Sequence, residues 1–293
     1  GKGRALVTGG AGFIGSHLTR RLLQRGARIT VLDDFNDFYE PARKRRNVAR
    51  LLELPAESYR LVEGDIRDET LVNRLFAHDR FDAVIHFAAR AGVRPSLREP
   101  ILYEDVNCIG TLRLLEAARH YGPKNFVFGS SSSVYGINEK VPFAEDDAVN
   151  QPISPYATTK RAGELLCFNY HHLYGLRTSC LRFFTVYGPA QRPEMAIHKF
   201  TDLLARGEVV PMYGDGSTRR DYTYVDDIVT GIVAAMDLAP GFEIFNLGGA
   251  ETTSLYDLVH WLAADLGVQP RIEMLPEQPG DVPITFADVT KSA

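Results

Sequence analysis

Short apolar runs rich in β-branched residues alternate with helical patterns through residues 1–182. This alternation is typical of a parallel sheet with helices on both faces. The 293 residues, 45% of them hydrophobic, are enough to build such a core. The predicted strands are residues 4–8, 28–32, 59–63, 83–87, 125–128 and 178–182. The predicted helices lie near residues 12–24, 42–54, 70–77, 103–120 and 156–174. We therefore expect an α/β fold with a doubly wound parallel sheet.

The pattern changes from about Phe183, where pieces punctuated by Gly and Pro replace the alternation. This change indicates a smaller, irregular lobe over residues 183–293, part of which we expect to return to the first domain, residues 1–182. In an open parallel sheet, ligands bind beyond the carboxyl ends of the strands, where the strand order reverses. We expect the second lobe to hold a substrate at that edge.

A glycine-rich segment, Gly9-Gly10-Ala11-Gly12-Phe13-Ile14-Gly15, directly follows the first predicted strand and opens a helix. Glycines here allow a tight turn and a close backbone approach, which places a pyrophosphate at the positive N-terminus of the helix. This context predicts a dinucleotide-binding Rossmann domain over residues 1–182. The predicted cofactor contacts in the segment are Gly9, Gly12, Phe13, Ile14 and Gly15.

Acidic residues after the next two strands extend the predicted cofactor site. Asp33 is placed to accept hydrogen bonds from an adenosine ribose 2′-OH and would repel a 2′-phosphate. Asp34 follows it instead of an arginine, which favours NAD over NADP, and Asn36 lies in the same loop. Asp65, next to Ile66, is placed to hold the adenine amino group. The alternative interpretation is a glycine-rich turn with ordinary aspartate loop caps.

Tyr156 and Lys160 form a Tyr-x3-Lys pair in a predicted helix. Residues four apart lie on one helix face, so the phenol and the ammonium can share a site. An adjacent cation favours phenolate and would lower the phenol pKa from about 10 toward neutrality, where the group can act as a base. Alone the pair is a weak signal, because most such pairs lie on ordinary amphipathic surface.

Charge and composition argue against several classes of function. A net charge of −4 offers no general attraction to nucleic acid or to an anionic membrane. The basic run at residues 43–46 lacks interleaved aromatic side chains, and we interpret it as a solvated helix face. Three cysteines without metal-ligand spacing favour a reduced, cytoplasmic setting. We expect no nucleic-acid partner, no membrane association and no metal centre.

Several motifs occur in a fixed order along the chain. They are Gly9-x2-Gly12-x2-Gly15, Asp33, Gly64-Asp65-Ile66, His86-Phe87-Ala88-Ala89, Asn107, a serine run before Val134-Tyr135-Gly136, and Tyr156-x3-Lys160. Together they resemble the extended short-chain dehydrogenase/reductases, and among these the nucleotide-sugar epimerases and dehydratases. The resemblance covers nearly the whole chain. It implies a bound NAD, a nucleotide-diphospho-sugar substrate and further cofactor contacts from Phe87, Ala88, Ala89 and Asn107.

The same resemblance implies a catalytic trio of Ser131, Tyr156 and Lys160, since Ser131 lies four residues before Tyr135, where the family places its catalytic Ser or Thr. In such enzymes the phenolate removes the proton from a sugar 4-OH as hydride leaves C4 for NAD⁺. The lysine steadies the phenolate and holds the nicotinamide ribose, while the serine hydrogen-bonds the reacting oxygen.

The residues just before Val134 separate the reactions within the family. Similar 4,6-dehydratases carry Asp-Glu there and UDP-glucuronate decarboxylases carry a Glu, whereas this chain has Ser132-Ser133. Without a carboxylate at these positions, we expect the 4-keto sugar to turn in the site and take hydride back on its other face. That reaction is a 4-epimerisation with NAD regenerated in each turnover.

The segments around Arg94, Thr185 and Arg192 look like those of the UDP-glucuronate 4-epimerases. A 4-keto uronic acid is a β-keto acid that loses CO₂ easily, so Thr185, Ser132 and Ser133 are candidates to hold the carboxylate out of line with the ketone. Arg192 is a diphosphate or a carboxylate ligand. Arg94 is either a substrate-loop contact or a solvated side chain.

Three further residues are assigned to the substrate. By resemblance, Arg220 and Asp281 fall where the family binds the diphosphate and the nucleoside; a surface arginine and a turn aspartate are the alternatives. Thr285 stands where galactose-specific epimerases often carry a bulky Tyr. The small residue leaves room for a carboxylate or an N-acetyl group. A UDP-glucose/UDP-galactose or UDP-N-acetylhexosamine 4-epimerase is therefore the alternative activity.

The rival class is a non-catalytic NAD-binding sensor, although such proteins commonly lose the tyrosine or the lysine. Family resemblance also implies a homodimer that pairs the helices near residues 103–120 and 156–174. The apolar residues of those helices could equally pack on the sheet alone.

Overall fold

The computed structural model describes residues 3–49, 51, 54–55, 57–278 and 281–293. The strands are β1 (Arg4–Thr8), β2 (Arg28–Asp33), β3 (Tyr59–Glu63), β4 (Ala83–His86), β5 (Asn125–Ser131), β6 (Thr178–Phe183), β7 (Thr185–Tyr187), β8 (Val209–Tyr213), β9 (Arg219–Arg220), β10 (Tyr222–Tyr224), β11 (Phe242–Leu247), β12 (Thr253–Ser254), β13 (Arg271–Leu275) and β14 (Ile284–Thr285). The α-helices are α1 (Phe13–Gln24), α2 (Pro41–Ala49), α3 (Glu69–Asp79), α4 (Val93–Arg98), α5 (Pro100–Glu104), α6 (Gly110–Tyr121), α7 (Pro155–Tyr174), α8 (Ala196–Ala205), α9 (Val225–Leu238) and α10 (Leu255–Leu266).

The central sheet contains seven strands in the order β11-β6-β5-β4-β1-β2-β3, and its neighbouring strands pair in parallel. β1 lies between β2 and β4, so the direction of winding reverses beside β1. The predicted doubly wound α/β fold is confirmed. A ligand site is expected at the carboxyl ends of β1 and β4, where this reversal leaves a crevice.

The two faces of the sheet are buried in two separate cores. In β1, Ala5 and Val7 face the core that contains residues of α1 and α9. Leu6, between them, faces the opposite core with residues of α3, α6 and α7. This alternation follows from the two-residue period of a strand. The strands therefore read as nearly continuous apolar runs because both faces are covered.

The predicted elements recur with shifted ends. β5 continues three residues beyond the predicted end, because its pairing with β6 extends to Ser131 opposite Phe183. The predicted helix at residues 42–54 is observed as α2, which ends at Ala49. Within that prediction, residues 50, 52 and 53 lie outside the described residues. The predicted helix at 103–120 forms α5 and α6, which flank a π-helical segment, Asp105–Ile109.

The chain after Phe183 contributes to both the sheet and a smaller set of elements. β11 pairs with β6 at the edge of the central sheet, and α9 packs into the same core as α1. β8 and β13 form a parallel pair whose core includes residues of α8 and α10. β9 pairs with both β12 and β14. In the described part of the chain, no helix is both long and apolar enough to cross a membrane.

His86 ends β4 with its side chain buried between two threonines. Its Nδ1 lies 2.7 Å from Thr8 Oγ1, and its Nε2 lies 2.8 Å from Thr111 Oγ1. Burial lowers the pKa of His86 to about 3. The unfolded chain therefore takes up this proton near pH 6.5, whereas the folded chain does not. The resulting stability is fully present above pH 6.5 and is lost as the pH falls from there toward 3.

Replacing His86 with Gln keeps a donor and an acceptor between the threonines but removes the titration. From pH 6.5 to 4.5, the free energy of unfolding of the wild type should fall by about 2 kcal/mol more than that of His86→Gln. Urea denaturation at intervals across this range measures both. Parallel pH dependences in the two proteins would contradict a neutral, buried His86.

Candidate active site

A cleft of about 440 Å³ opens at the carboxyl edge of the central sheet. Its walls include residues at or just after the ends of successive strands, from Gly9 after β1 to Ser131 at the end of β5. Most of the predicted site residues line it. They are Gly9, Gly12, Phe13, Ile14, Gly15, Asp33, Asp34, Asn36, Asp65, Ile66, Phe87, Ala88, Ala89, Ser131, Ser132, Ser133, Tyr156, Lys160, Thr185 and Arg192. The parallel sheet brings these distant residues together because all its strands end at one edge.

The glycine-rich turn joins β1 to α1 with little space for side chains. Gly9 has a φ of +70°, which favours glycine, and its carbonyl accepts a hydrogen bond of 3.1 Å from the Gly12 amide. A Cβ on Gly15 would lie 2.2 Å from the Gly9 carbonyl oxygen. Gly12 caps α1 without a side chain, so the first amides of the helix face the cleft unobstructed. Such a helix start suits an anionic group.

Asp33 ends β2 with its carboxylate almost enclosed, at 4% exposure. Its oxygens accept hydrogen bonds from the amides of Ala11 at 3.1 Å and Phe35 at 3.0 Å. The ammonium of Lys44 lies 3.5 Å from the same carboxylate. Burial raises the pKa of Asp33, and the charge of Lys44 opposes that rise. The carboxylate therefore joins the glycine-rich turn to the loop after β2.

Lys44 is a cleft residue that the sequence analysis missed. The basic run at residues 43–46 was predicted to be a solvated helix face, and the exposed Arg45 and Arg46 fit that prediction. For Lys44 the prediction is wrong, because α2 turns this side chain toward the ends of Asp33 and Asp34 and leaves it 8% exposed. Four like charges in a row do not indicate which one points inward.

Asp65 lines the cleft, but its carboxylate also has partners within the protein. It accepts hydrogen bonds from the Arg67 amide at 2.8 Å and from Arg67 Nη2 at 2.7 Å. Although burial opposes the effect, these contacts with Arg67 lower the pKa of Asp65. Arg67 Nη1 also donates to Asp105 at 2.6 Å. Asp65 is thus a loop cap, and the expected contact with adenine stays a prediction.

Asn107 does not line the cleft, in contrast to the other predicted cofactor residues. It lies in the π-helical segment, where its Oδ1 accepts from the Arg90 amide at 2.7 Å. Its Nδ2 donates to the Arg90 carbonyl at 2.9 Å and to Thr159 Oγ1 at 3.0 Å. The amide group therefore fastens the loop after β4 to α7. Its expected contact with a cofactor would have to compete with these partners.

Tyr156 and Lys160 lie in the first two turns of α7, which begins at Pro155. Ser154 caps this helix by accepting a hydrogen bond of 3.1 Å from the Ala157 amide. The Lys160 ammonium is buried and donates to the Gly129 carbonyl of β5 at 2.7 Å. It lies 5.9 Å from the centre of the Tyr156 ring. The predicted pair therefore shares one wall of the cleft.

The ionisation of this pair differs from the expectation. Burial raises the pKa of Tyr156, against the opposing effects of hydrogen bonding to Ser131 and the charge of Arg192. Burial lowers the pKa of Lys160 to about 8. We expected Lys160 to lower the pKa of the phenol, but its ammonium is directed to Gly129, and desolvation prevails in the protein alone.

The serine run closes the same wall. Ser131 Oγ donates to Ser133 Oγ at 3.1 Å and accepts from the Ser133 amide at 3.1 Å. These contacts start the short 3-10 helix Ser132–Tyr135 at the end of β5. Arg192 also lines the cleft, and its guanidinium lies 5.7 Å from the Phe38 ring and 3.3 Å from Glu194. No carboxylate occupies positions 132 and 133.

Four predicted substrate residues, Arg94, Arg220, Asp281 and Thr285, lie outside the walls of the main cleft. Arg94 Nη2 lies 2.9 Å from Asp281 Oδ2, and Arg220 pairs in register with Thr285 across β9 and β14. Burial lowers the pKa of Arg220. The Thr285 hydroxyl is buried without a hydrogen-bond partner among the described residues. Pro279 and Gly280, quoted with Asp281 in the sequence motif, lie outside the described residues.

Comparisons with known proteins agree with this arrangement. A model of the NAD dependent epimerase/dehydratase family matches residues 5–248. The chain belongs to this family. This chain is 42% identical over 292 residues to a UDP-glucuronate 4-epimerase from Thermodesulfobacterium geofontis. The match covers 99% of this chain and 89% of the relative. The predicted resemblance to NAD-dependent nucleotide-sugar epimerases and dehydratases is confirmed.

Solved structures show that the similarity extends over nearly the whole fold of this chain. The crystal structure of UDP-glucuronic acid 4-epimerase from Bacillus cereus, in complex with UDP-glucuronic acid and NAD, matches with a TM-score of 0.91 and 36% identity. The match covers 99% of this chain and 91% of that chain. UDP-glucose 4-epimerase from Thermotoga maritima, with UDP-glucose, matches with a TM-score of 0.89 and 36% identity, with coverage of 99% and 91%.

Two of the glycines in the turn allow a matched test. Gly15→Ala should lower the free energy of unfolding by about 2 kcal/mol or more, since its Cβ would meet the Gly9 carbonyl and the surrounding backbone. Gly12→Ala should cost less than about 1 kcal/mol, because its Cβ would approach only the Gly9 oxygen, at 3.2 Å. Urea denaturation gives both values. A Gly15→Ala protein as stable as Gly12→Ala would refute the close approach.

Proposed function

We propose that the protein is an NAD-dependent UDP-sugar 4-epimerase that interconverts UDP-glucuronate and UDP-galacturonate through a transient 4-keto sugar. The observation that carries the proposal is the cleft wall where Ser131, Tyr156 and Lys160 meet, with Ser132 and Ser133 in place of carboxylates. The similarity to UDP-glucuronate 4-epimerases supports the choice of substrate.

The residues of the cleft fit NAD. Gly12 leaves the start of α1 open for a pyrophosphate, and each Asp33 oxygen accepts only one backbone amide, which leaves lone pairs for ribose hydroxyls. Lys44 stabilises the charge of that carboxylate. When bound, NAD⁺ supplies the oxidant that takes the C4 hydrogen and returns it, and its nicotinamide adds positive charge to the cleft.

The protein's own residues would manage the proton and the oxygen. Tyr156, as phenolate, accepts the proton of the sugar 4-OH, and Ser131 donates a hydrogen bond to that oxygen. Lys160 is held by the Gly129 carbonyl and keeps a positive charge one helical turn from the phenol. Since burial alone raises the pKa of Tyr156, the combined positive charge of Lys160, Arg192 and bound cofactor must outweigh that rise.

The outcome of the reaction depends on what else reaches the 4-keto sugar. Ser132 and Ser133 offer hydroxyls, which neither protonate nor deprotonate a sugar readily at neutral pH, so loss of water across C5–C6 has no acid–base pair. The ketone then turns, the hydride returns to C4 on the opposite face, and Tyr156 gives its proton back to the 4-oxygen. Thr185, which lines the same cleft, would hold the C6 carboxylate together with the two serines.

The second polar cluster is suited to the UDP part of the substrate. The half-buried guanidinium of Arg220 donates to the Arg219 carbonyl at 2.8 Å, and its further N–H groups are available to a diphosphate. The unpartnered hydroxyl of Thr285 can donate or accept a hydrogen bond, and the carboxylate of Asp281 can accept one from the nucleoside. A buried hydroxyl without a partner is costly, and a bound ligand would relieve that cost.

A cytoplasmic homodimer completes the proposal. The exposed apolar residues Ile109, Leu165, Phe168 and Leu173 on the outer surfaces of the π-helical segment and α7 would be covered by the same helices of a second copy. The cysteines Cys108, Cys167 and Cys180 are free thiols, as a reducing compartment allows. Light scattering of the purified protein tests the dimer.

Proton NMR tests the proposed reaction directly. UDP-glucuronate incubated with the purified protein should give UDP-galacturonate without added NAD, because a hydrogen borrowed and returned leaves the cofactor unchanged. Tyr156→Phe should reduce turnover by about 10³-fold while it still binds UDP. Parallel incubations with UDP-glucose and UDP-N-acetylglucosamine test the alternative activities. If UDP-glucose is converted and UDP-glucuronate is not, the substrate is a UDP-hexose and the proposed uronate substrate is wrong.

Thr185→Val preserves the shape of the side chain and removes its hydroxyl. If that hydroxyl holds the carboxylate out of line with the C4 ketone, its loss should release CO₂ from the 4-keto uronic acid. UDP-pentose should then appear beside UDP-galacturonate. Chromatography of the nucleotide sugars measures the ratio. A variant with the wild-type product ratio would rule out this role for Thr185.

A further inference from the structure

An ion pair lies directly behind the proposed catalytic wall, which is the cleft wall formed by Ser131, Tyr156 and Lys160. Glu164 on α7 and Arg182 on β6 are both 1% exposed. Arg182 Nε donates to Glu164 Oε1 at 2.9 Å, and Nη2 donates to Oε2 at 3.0 Å. The arrangement is a two-point contact with fixed geometry.

The carboxylate also reaches the strand that carries the catalytic serine. Ser130 Oγ donates to Glu164 Oε1 at 2.6 Å, and Ser130 directly precedes Ser131. Glu164 lies one helical turn after Lys160, whose ammonium binds the Gly129 carbonyl of the same strand. Two successive residues of β5 are therefore tied to two successive turns of α7.

The guanidinium of Arg182 extends the connection to the serine run and to the segment at Glu145. It lies 4.8 Å from the centre of the Tyr135 ring, at the end of the 3-10 helix that contains Ser132 and Ser133. Its Nη1 donates to the Glu145 carbonyl at 3.3 Å. Arg182 also lies three residues before Thr185. The helix α7, the end of β5 and the 3-10 helix, which carry Tyr156, Lys160 and the serine run, therefore all contact this one pair.

Stability alone does not account for a buried ion pair. Removing two charges from water carries a large desolvation cost, and apolar residues of similar size often fill such a site equally well or better. Directional contacts, by contrast, hold neighbouring groups at fixed separations. Small displacements of reacting groups are expensive in catalysis, where an error of about 1 Å can cost roughly a hundredfold in rate.

We infer that Glu164 and Arg182 are positioning residues that hold Ser131, Tyr156 and Lys160 in register with one another. The inference rests on the proposed function for its catalytic readout. The Glu164–Arg182 pair would affect the rate of the chemical step, although neither residue contacts the substrate or the cofactor.

The test compares three variants with the wild type. Glu164→Gln leaves Arg182 buried without a countercharge, which can prevent folding. The second variant therefore combines Glu164→Met with Arg182→Met, which removes both fully buried charges and leaves only the partly exposed Arg161 without this partner. The control variant is Arg161→Met. It removes the contact of the partly exposed Arg161 with the same carboxylate, in which Nη1 lies 3.0 Å from Glu164 Oε2. Thermal unfolding, kcat, KM for UDP-glucuronate and crystal structures are measured for each protein that folds.

The double variant should fold with a thermal midpoint close to that of the wild type, while its kcat falls ten- to a hundredfold and its KM stays within about threefold. Its crystal structure should show Ser130 and Ser131 displaced from the Tyr156 side of the cleft. Arg161→Met should keep kcat within about twofold. A double variant with wild-type kcat would overturn the inference.

The crystal structures decide the inference even if the proposed reaction is wrong. A wild type without epimerase activity would refute the function, and displacement of Ser131 in the double variant would still support the positioning role. Unchanged positions of Ser131, Tyr156 and Lys160 in the double variant would overturn that role whatever the wild type catalyses.

Discussion

The buried ammonium of Lys160 makes the contact on which the proposed catalytic wall, formed by Ser131, Tyr156 and Lys160, depends. It binds the Gly129 carbonyl at 2.7 Å and so joins the helix that carries Tyr156 to the strand that ends at Ser131. A cation in this setting is costly, and burial lowers the pKa of Lys160 to about 8. The charge is retained near neutral pH at a point where it can act on the phenol, which its own burial makes a weaker acid.

The sheet explains why so many separate segments reach one cleft. All neighbouring strands of the central sheet run in parallel, so their carboxyl ends share an edge. The reversal of winding beside β1 separates the loops after β1 and β4 and leaves room between them. The glycine-rich turn packs closely against neighbouring backbone there. Asp33, at the end of β2, accepts a hydrogen bond from the Ala11 amide of this turn. Family membership and geometry thus point to the same ligand edge.

Local patterns in the sequence predicted the strands, the helices and most of the cleft residues, because alternation and motif spacing are properties of short segments. Tertiary contacts decided the rest. β5 runs on to Ser131 because β6 pairs with it that far. Lys44 turns inward because of where α2 docks, which a run of four basic residues does not encode. Asn107 is placed behind the cleft by a π-helical segment.

In the protein without cofactor, the pKa of Tyr156 shifts in the direction opposite to the one that the sequence predicted. Spacing predicted that Tyr156 and Lys160 share a site, and they do, but the direction of a pKa shift depends on desolvation and on where each polar atom points. The nearest partner of Lys160 is a backbone carbonyl, which no side-chain pattern reveals. The ion pair of Glu164 and Arg182 could not be predicted from the sequence for a similar reason, because it forms only when α7 packs beside β6.

The most direct test of the account is the titration of the Tyr156 phenol itself. Ultraviolet difference spectra between the wild type and Tyr156→Phe, recorded against pH, isolate this one phenolate with and without saturating NAD⁺. The account predicts a pKa above the ordinary value of 10.0 in the protein freed of cofactor and a clear fall once NAD⁺ is bound. A phenol pKa that NAD⁺ leaves unchanged or raises would contradict the claim that assembled positive charge makes Tyr156 the base.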